Sequence, residues 1–229
     1  MDSGTEVPEG LNVVHEDEAL VVLDKPAGLL SAPGRGAEKQ DCLVARALAR
    51  WPEALIVHRL DQATSGLMLL ARGPEMQRAL SICFAARDVH KRYEAVVDGC
   101  VRGSAEHEDE GEIALPLMAD WPRRPRQKVD AQGKPSLTRW KVLARDSVGH
   151  QSASNASQTT RLALFPVTGR SHQLRVHLQA IGHPILGDAL YADPATLARS
   201  PRLLLHACEL SLPHPRTGAL TIWRSRVPF

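Results

Sequence analysis

Residues 58–66 have the sequence His-Arg-Leu-Asp-Gln-Ala-Thr-Ser-Gly and separate two short apolar runs, 54–57 and 67–71. Short apolar runs bounded by turn residues are typical of buried β-strands, so the polar segment between them is predicted to be a loop or turn joining two strands. Loops held on a rigid sheet often carry binding and catalytic residues. This stretch therefore predicts a sheet-based fold and marks a candidate functional loop.

Asp61 is the candidate for chemistry in this loop. In a functional role it would be a carboxylate nucleophile or general base, kept ionised by a neighbouring cation and shielded from water. The alternative is an Asx-turn or a structural ion pair with Arg59. Spacing alone favours the structural alternative.

The pattern along the whole chain predicts an α+β fold with a largely antiparallel sheet, because many strands alternate with few helices. We expect one domain over residues 1–229 and a polar loop over 147–160. Helix 41–50 is expected to have Asp41 as its N-cap. Further helices are predicted at 74–87 and 171–181, and strands at 19–23, 54–57, 67–71, 91–97, 113–117, 136–144, 160–166, 203–212 and 219–224.

The composition, 43% hydrophobic and 24% charged among 229 residues, is that of a soluble globular protein. No apolar run is long enough to cross a bilayer, and the acidic N-terminus lacks the apolar segment of a signal peptide. The four cysteines are widely spaced and match no zinc-ligand pattern. These features predict a cytoplasmic protein with reduced thiols, no bound metal and no membrane association.

Charge is unevenly distributed along the chain. Residues 121–140 contain six Lys or Arg against one Asp, whereas 106–112 contain five acidic residues. Such asymmetry predicts a basic surface that faces a polyanion, with the acidic run on a solvated loop elsewhere. The alternative for the basic segment is also a solvated loop. Its candidate binding residues are Arg123, Arg124, Arg126 and Lys128.

Two further motifs contain candidate site residues. In Thr168-Gly169-Arg170-Ser171-His172-Gln173-Leu174-Arg175, His172 and Arg175 are expected on one helix face, where Arg175 could pair with a buried carboxylate. The alternative is a surface helix with a solvated arginine. In Lys91-Arg92-Tyr93, an aromatic flanked by cations suits stacking on a splayed base, and the alternative is a core tyrosine.

Taken together, these motifs resemble those of the RluA-type pseudouridine synthases. The resemblance covers about residues 12–212. The matching segments are Lys25-Pro26-Ala27-Gly28-Leu29, His58-Arg59-Leu60-Asp61 with Thr64-Ser65-Gly66, Lys91-Arg92-Tyr93, Gly169-Arg170-Ser171-His172-Gln173-Leu174-Arg175, and Leu204-Leu205-His206-Ala207. The resemblance implies a long, mixed, mainly antiparallel sheet with flanking helices and a central catalytic cleft. It also implies isomerisation of uridine to pseudouridine in structured RNA, without metal or organic cofactor.

The resemblance assigns roles to individual residues. Asp61 matches the catalytic aspartate, and Arg175 matches the basic residue that pairs with it. Tyr93 matches the aromatic that stacks on the uracil and assists removal of the C5 proton. Arg59 matches the position that helps to fill the gap left by the flipped nucleotide. Whether the carboxylate acts at the sugar or adds to uracil C6 stays open.

The segment 120–129 resembles that of the compact subgroup that lacks an S4 RNA-binding domain. This resemblance implies a 23S rRNA hairpin, the anticodon arm of tRNA, or both as substrate, and we expect a monomer. Two alternative functions are a non-catalytic RNA-binding protein on the same scaffold, and a hydrolase that uses Asp61 as nucleophile and releases free base.

Overall fold

The structure, a computed structural model, describes residues 11–147 and 158–229. Their strands are β1 (Asn12–Glu16), β2 (Leu20–Lys25), β3 (Ala54–Ile56), β4 (Ser65–Arg72), β5 (His90–Asp98), β6 (Glu110–Ala114), β7 (Leu117–Ala119), β8 (Gln127–Val129), β9 (Leu137–Ser147), β10 (Gln158–Pro166), β11 (Leu205–Pro213) and β12 (Leu220–Arg224). Their α-helices are α1 (Leu43–Leu48), α2 (Pro74–Ala86), α3 (Gln173–Ala180) and α4 (Pro194–Ala198). Short 3₁₀ turns cover Ala37–Lys39 and Trp121–Arg123.

The chain divides into two compact units. The first contains the described residues up to His90 together with Ala207–Pro228, and the second contains Lys91–His206 and Phe229. The expectation of a single domain stays a prediction.

The first unit is a sheet with the strand order β1-β2-β4-β11, to which β12 and β3 add as partners of β11 and β4. The pairs β1–β2, β2–β4, β3–β4 and β11–β12 are antiparallel. Leu20, Leu69 and Leu212 on these strands pack in one core with Leu80 of α2. Strand β4 is almost completely buried, as its continuous apolar run predicts.

The second unit contains the antiparallel strand order β5-β10-β9-β6 and a separate hairpin of β7 and β8. Helix α3 packs against β8, β9 and β10. Its Leu178 is fully buried, as are Leu162 and Leu164 of β10. Apolar side chains at alternate strand positions and on one helix face therefore meet in this core.

The predicted α+β fold with a mainly antiparallel sheet is confirmed. The predicted strand-loop-strand over 54–71 and the helix from Pro74 agree with β3, β4 and α2. The expected loop 147–160 falls mostly outside the described residues, although 158–160 belong to β10. No helix in the described part of the chain combines the length and apolar character of a membrane span.

The predicted N-cap of α1 is wrong. Helix α1 begins at Leu43, and its N-cap is Cys42, whose Sγ accepts a hydrogen bond from the Ala45 amide at 3.3 Å. Asp41 lies one residue earlier and binds Arg46 through both carboxylate oxygens, at 2.8 and 2.7 Å. The carboxylate is therefore engaged by a charged side chain instead of the helix terminus.

The predicted acidic loop is wrong in conformation for its second half, although Glu110 and Glu112 are exposed to solvent as predicted. Residues Glu110–Ala114 form β6, which pairs with β9. Arg139 and Arg145 of β9 bind Glu112 and Asp109, each at 2.6 Å. The strand pairing places Glu112 opposite Arg139, so this acidic residue is paired with a cation across the sheet. Arg139 therefore has a carboxylate partner and contributes less to a basic surface.

Candidate active site

Lys25 anchors the loop between β3 and β4 from within the first unit. Its side chain is fully buried, and Nζ donates to the carbonyls of Pro26, Leu29 and Gln62 at 2.9, 2.7 and 3.1 Å. Burying an ammonium is unfavourable unless its donors are hydrogen-bonded, and these three acceptors match its three N–H groups. The amide of Gly28 also donates to Gln62 O at 2.8 Å. The segment after β2 and the loop of Asp61 are thus joined.

Ser31 holds the residue just before Asp61. Its Oγ donates to the carbonyl of Leu60 at 2.7 Å and accepts from the Leu60 amide at 3.1 Å. Leu60 is buried, whereas Arg59 is exposed and Asp61 is half-buried. The amide of Thr64 donates a hydrogen bond to the carbonyl of Asp61 at 3.1 Å, which closes the turn that follows. The backbone of Asp61 is therefore fixed on both sides while its side chain retains access to solvent.

His58 has a structural role, which the sequence did not assign. Its Nε2 accepts a hydrogen bond from the Leu69 amide at 2.9 Å, and its ring stacks on Phe84 with centroids 4.9 Å apart. Because the backbone amide is the donor, Nε2 of this imidazole carries no proton. His58 thus ties the start of the loop to β4 and α2.

Gly66 permits the end of the loop to lie close to β11. Its φ of 114° belongs to the region that favours glycine, and a Cβ there would lie 2.3 Å from the carbonyl oxygen of Ala207. No side chain fits this approach without moving a strand. The glycine is therefore required by the packing of β4 on β11.

We expect Lys25→Met to lower the free energy of unfolding by about 2–5 kcal/mol, because three loop carbonyls lose a charged donor. Methionine keeps the length and burial of the side chain, so the loss reports the hydrogen bonds. Urea unfolding monitored by circular dichroism measures it. Lys39→Met, at an exposed lysine, is the control. A midpoint for Lys25→Met equal to that of the control would contradict this role.

Arg175 is buried in the second unit and forms a two-bond ion pair. Its Nε and Nη2 bind the two carboxylate oxygens of Asp188 at 2.8 and 2.6 Å. The backbone amides of Leu190 and Tyr191 also donate to Asp188, at 2.9 and 3.2 Å. The alternative of a solvated surface arginine is therefore wrong. The planar guanidinium is held in one orientation by a carboxylate that is itself fixed.

Helix α3 begins at Gln173, two residues later than predicted, and His172 is its N-cap in the left-handed conformation with φ 55°. Gln173 is buried and braces the turn before the helix. Its Oε1 accepts from Thr168 Oγ1 at 2.7 Å and from the Arg170 amide at 3.1 Å. Its Nε2 donates to Leu137 O at 2.9 Å. These bonds fasten the turn that contains Gly169 to β9. They therefore fix the start of α3 and with it the position of Arg175.

His177, one turn further along α3, is fully buried. Its ring nitrogens lie 3.0 Å from Thr138 Oγ1 and 3.0 Å from the carbonyl of Leu115. Burial lowers the pKa of His177, the largest effect on it. Both ring nitrogens are hydrogen-bonded, so His177 is a structural link from α3 to β9 and to the residue after β6.

Tyr191 connects several parts of the second unit, and no sequence motif predicted this role. Its hydroxyl lies 2.7 Å from His172 Nδ1 and accepts from the Gln127 amide at 2.8 Å. The guanidiniums of Arg175 and Arg126 lie 5.1 and 5.7 Å from its ring centroid. Tyr191 therefore joins the start of α3, the buried arginine and the β7–β8 hairpin. The sequence contains only two tyrosines, and this low number was the one feature that could have drawn attention to Tyr191.

Tyr93 lies on β5, directly opposite Leu164 of β10, and is half-buried. Two residues earlier, the Lys91 ammonium approaches Gly169, where a Cβ would lie 3.6 Å from Nζ. Burial lowers the pKa of Lys91. The start of β5 thus lies beside the turn that precedes α3, and both motifs singled out in the sequence meet there.

The predicted basic residues are in or beside the β7–β8 hairpin, and each has a partner within the chain. Arg123 Nε binds Asp120 at 2.7 Å, and Lys128 Nζ binds Asp130 at 2.7 Å. Arg124 lies over Trp121, with its guanidinium carbon 3.3 Å from the ring centroid. Arg126 is half-buried above the Tyr191 ring, whereas the other three cations are exposed.

The predicted site residues fall in different units. Asp61 and Arg59 belong to the first, and Tyr93, Arg175 and the hairpin cations belong to the second. Within the second unit, Arg175 and Arg126 share the ring of Tyr191. The predicted pairing of Arg175 with Asp61, and the cleft that would hold it, stay predictions.

In the described ranges, no three side chains of His, Cys, Asp or Glu are placed to hold a metal ion together. The four cysteines are free thiols, and Cys42 and Cys208 are buried.

Comparison with known proteins identifies one family. The family model of the RNA pseudouridylate synthases matches residues 19–180. The dual-specificity RNA pseudouridine synthase RluA of Vibrio cholerae is 47% identical over 208 residues, which are 90% of this chain and 79% of the relative. Its counterpart in Escherichia coli K12 is 43% identical over 220 residues, covering 96% and 94%.

Two solved structures are also similar. Human RNA pseudouridylate synthase domain containing 1 has a TM-score of 0.75 and 28% identity, over all of this chain and 87% of that one. Human RNA pseudouridylate synthase domain containing 4 has a TM-score of 0.68 and 25% identity, over 95% and 88%.

Proposed function

Since the chain belongs to the RNA pseudouridylate synthase family and is an isomerase that converts uridine to pseudouridine in RNA, we propose that Asp61 is its catalytic residue. The observation that carries this proposal is the construction of the loop. Lys25 and Ser31 fix the backbone on both sides of Asp61, and the carboxylate side chain is half-buried. A reactive group held on a rigid frame loses little freedom when the substrate arrives.

The reaction needs a group of this kind. The bond from uracil N1 to C1′ of the sugar breaks, the uracil rotates, and C5 bonds to C1′. A proton leaves C5 and one is gained at N1, so the change is balanced without a co-reactant. A carboxylate serves either by attacking or deprotonating the sugar or by adding to uracil C6.

Arg175 is proposed to pair with Asp61 in the working enzyme. The Arg175 guanidinium is permanently charged and planar, which is the chemistry that pairs with a carboxylate. The two hydrogen bonds to Asp188 also support the proposal, because they hold the guanidinium in one orientation. A nearby cation favours the ionised form of a carboxylate.

Tyr93 and Arg59 are proposed to handle the base. Tyr93 would stack on the uracil, since an aromatic ring on a strand is a rigid platform. Arg59 is exposed next to Asp61, which suits a side chain that occupies the space left by the flipped nucleotide.

We propose a stem-loop as substrate, either a 23S rRNA hairpin, the anticodon arm of tRNA, or both. Relatives named dual-specificity RNA pseudouridine synthases support this choice. Extruding an unpaired loop base needs less energy than opening a base pair. Such substrates would place the protein in the cytoplasm, where we propose that it acts as a monomer. Family membership favours this isomerase over the non-catalytic binder and the hydrolase.

The experiment that tests this function incubates the purified protein with transcripts of tRNA and 23S rRNA hairpins. Pseudouridine is then mapped by carbodiimide modification and primer extension. A single modified loop uridine in either transcript is the expected result. Free uracil in the supernatant would overturn the isomerase in favour of a hydrolase, and unmodified transcripts would overturn the choice of RNA.

Replacing Arg123, Arg124 and Arg126 together with glutamine is expected to weaken RNA binding and to flatten its salt dependence. For each phosphate that is no longer neutralised, the slope of log K against log salt should fall by about 0.7. Because Arg123 is already paired with Asp120, we expect the change to correspond to fewer than three phosphates. Filter binding over a range of salt concentrations measures it. Arg78, Arg216 and Arg224, changed together to glutamine, are the control. Equal slopes for both triple variants would place the RNA surface elsewhere.

A further inference from the structure

Trp121 differs from the other tryptophans of the chain. Its side chain is 64% exposed, whereas Trp51, Trp140 and Trp223 are buried. A large aromatic in contact with water is unfavourable, and exposed aromatics are enriched where a protein binds a partner. The position of Trp121 therefore needs an explanation other than core packing.

The exposure of Trp121 is not that of a loose loop. Trp121 opens the 3₁₀ turn at the tip of the β7–β8 hairpin. Three backbone hydrogen bonds close the tip, from Asp120 N to Arg126 O at 2.9 Å, from Arg123 N to Asp120 O at 2.9 Å and from Arg126 N to Arg123 O at 3.0 Å. The Gln127 amide also donates to the Tyr191 hydroxyl. The indole is thus presented in a fixed place, which lowers the entropy lost on binding.

Arg124 covers one face of this indole. Its guanidinium carbon lies 3.3 Å from the ring centroid, a close cation–π stack. Because one face is covered and the side chain is still 64% exposed, the opposite face is open to solvent. A flat apolar surface of that size accepts another planar group by stacking.

The charges around Trp121 indicate which planar group. Arg123, Arg124, Arg126 and Lys128 follow it closely in the chain, opposed by Asp120 and Asp130. An aromatic face among cations is the combination by which proteins bind unpaired nucleotides, with the base on the ring and the phosphates at the cations. An acidic peptide matches the charge but supplies a stacking partner only where an aromatic side chain falls in register, whereas every unpaired nucleotide supplies both a planar base and a phosphate.

We propose that Trp121 binds an unpaired base of the RNA substrate by stacking on the face opposite Arg124, and that this base is not the target uridine. The inference rests on the proposed stem-loop substrate, whose loop supplies more than one unpaired base. Arg124 would then contact the phosphate next to the stacked base. Trp121 is a binding residue and takes no part in the chemical step.

Two substitutions test the stack. Trp121→Leu keeps an apolar side chain but removes the aromatic face, and it should weaken binding to the hairpin transcripts by about 5- to 100-fold. Trp121→Phe keeps a stacking face and should recover most of that loss. Turnover at saturating RNA should stay within about twofold of wild type, because in the proposal the stack holds the RNA and makes no contact with the reacting uridine. Ile82→Ala, at another highly exposed apolar residue, is the matched control.

A second measurement is independent of the substrate. Short oligoadenylate offers unpaired bases and contains no uridine, whereas an RNA duplex of the same length offers none. Trp121→Leu should lose affinity for oligoadenylate and keep its affinity for the duplex. Oligoadenylate should also quench the emission of the exposed indole in the wild type and not in Trp121→Leu.

Equal affinity of wild type and Trp121→Leu for oligoadenylate would overturn the inference. A second result would also overturn it. If Trp121→Phe loses as much RNA affinity as Trp121→Leu and both variants unfold at a lower urea concentration, then Trp121 only supports the structure of the hairpin. Failure of the proposed stem-loop substrate is a different result, namely that the wild-type protein leaves both transcripts unmodified.

Discussion

Replacing Asp61 with asparagine is expected to abolish pseudouridine formation, with a loss of about 10³-fold or more. Asparagine has nearly the same shape but neither attacks carbon nor accepts a proton as a carboxylate does. Lys25 Nζ donates to the backbone carbonyl of Gln62, and Ser31 Oγ bonds to the backbone amide and carbonyl of Leu60, so these bonds do not depend on the Asp61 carboxylate. The loop should therefore keep its conformation, and RNA affinity should stay within a few-fold of wild type.

Tritium released from C5-labelled uridine in a tRNA transcript measures the activity of Asp61→Asn, and filter binding measures its RNA affinity. Asp88→Asn, at an exposed aspartate, is the control and should behave as the wild type. Wild-type activity in Asp61→Asn would remove Asp61 from the mechanism. A parallel loss of binding and activity would instead show that the carboxylate holds the RNA or the loop.

Arg175→Ala is expected to have the second largest effect, because it damages both stability and catalysis. Asp188 is buried and would lose its bidentate partner, which lowers the free energy of unfolding by about 3–5 kcal/mol. In the proposed mechanism Asp61 also loses its counter-ion, so we expect activity to fall by at least about 100-fold. Urea unfolding and tritium release measure the two losses on the same preparation.

A double variant separates these losses. In Arg175→Ala with Asp188→Ala, neither buried charge is left alone, so most of the stability lost in the single variant should return. Activity should stay low, because Asp61 would still lack the guanidinium. Recovery of activity together with stability would reduce Arg175 to a structural residue. Asp188→Ala alone should lower stability and leave some activity, since the guanidinium remains but is less well oriented.

Strong local patterns were sufficient for much of the fold. The continuous apolar run before Arg72 predicted β4, and Pro74 followed by Glu75 predicted the start of α2. Weaker local patterns gave wrong predictions for the N-cap of α1 and for the conformation of the acidic segment. Asp41 has the residue type of an N-cap, but Arg46 binds its carboxylate and Cys42 caps the helix. The acidic run before Ala114 was predicted to be a loop, but its second half pairs with β9 as strand β6 while its carboxylates stay exposed.

The sequence by itself determined the class of fold, the family and the identity of Asp61 as the candidate catalytic residue, because periodicity and ordered motifs are properties of short segments. Only the tertiary structure showed what supports those motifs. The bonds from Lys25 to Gln62 and from Gln127 to Tyr191 join residues 37 and 64 positions apart. Arg175 on α3 and Asp188 in the loop after it are 13 positions apart. Such pairings depend on how loops pack against one another, and no local spacing specifies that packing.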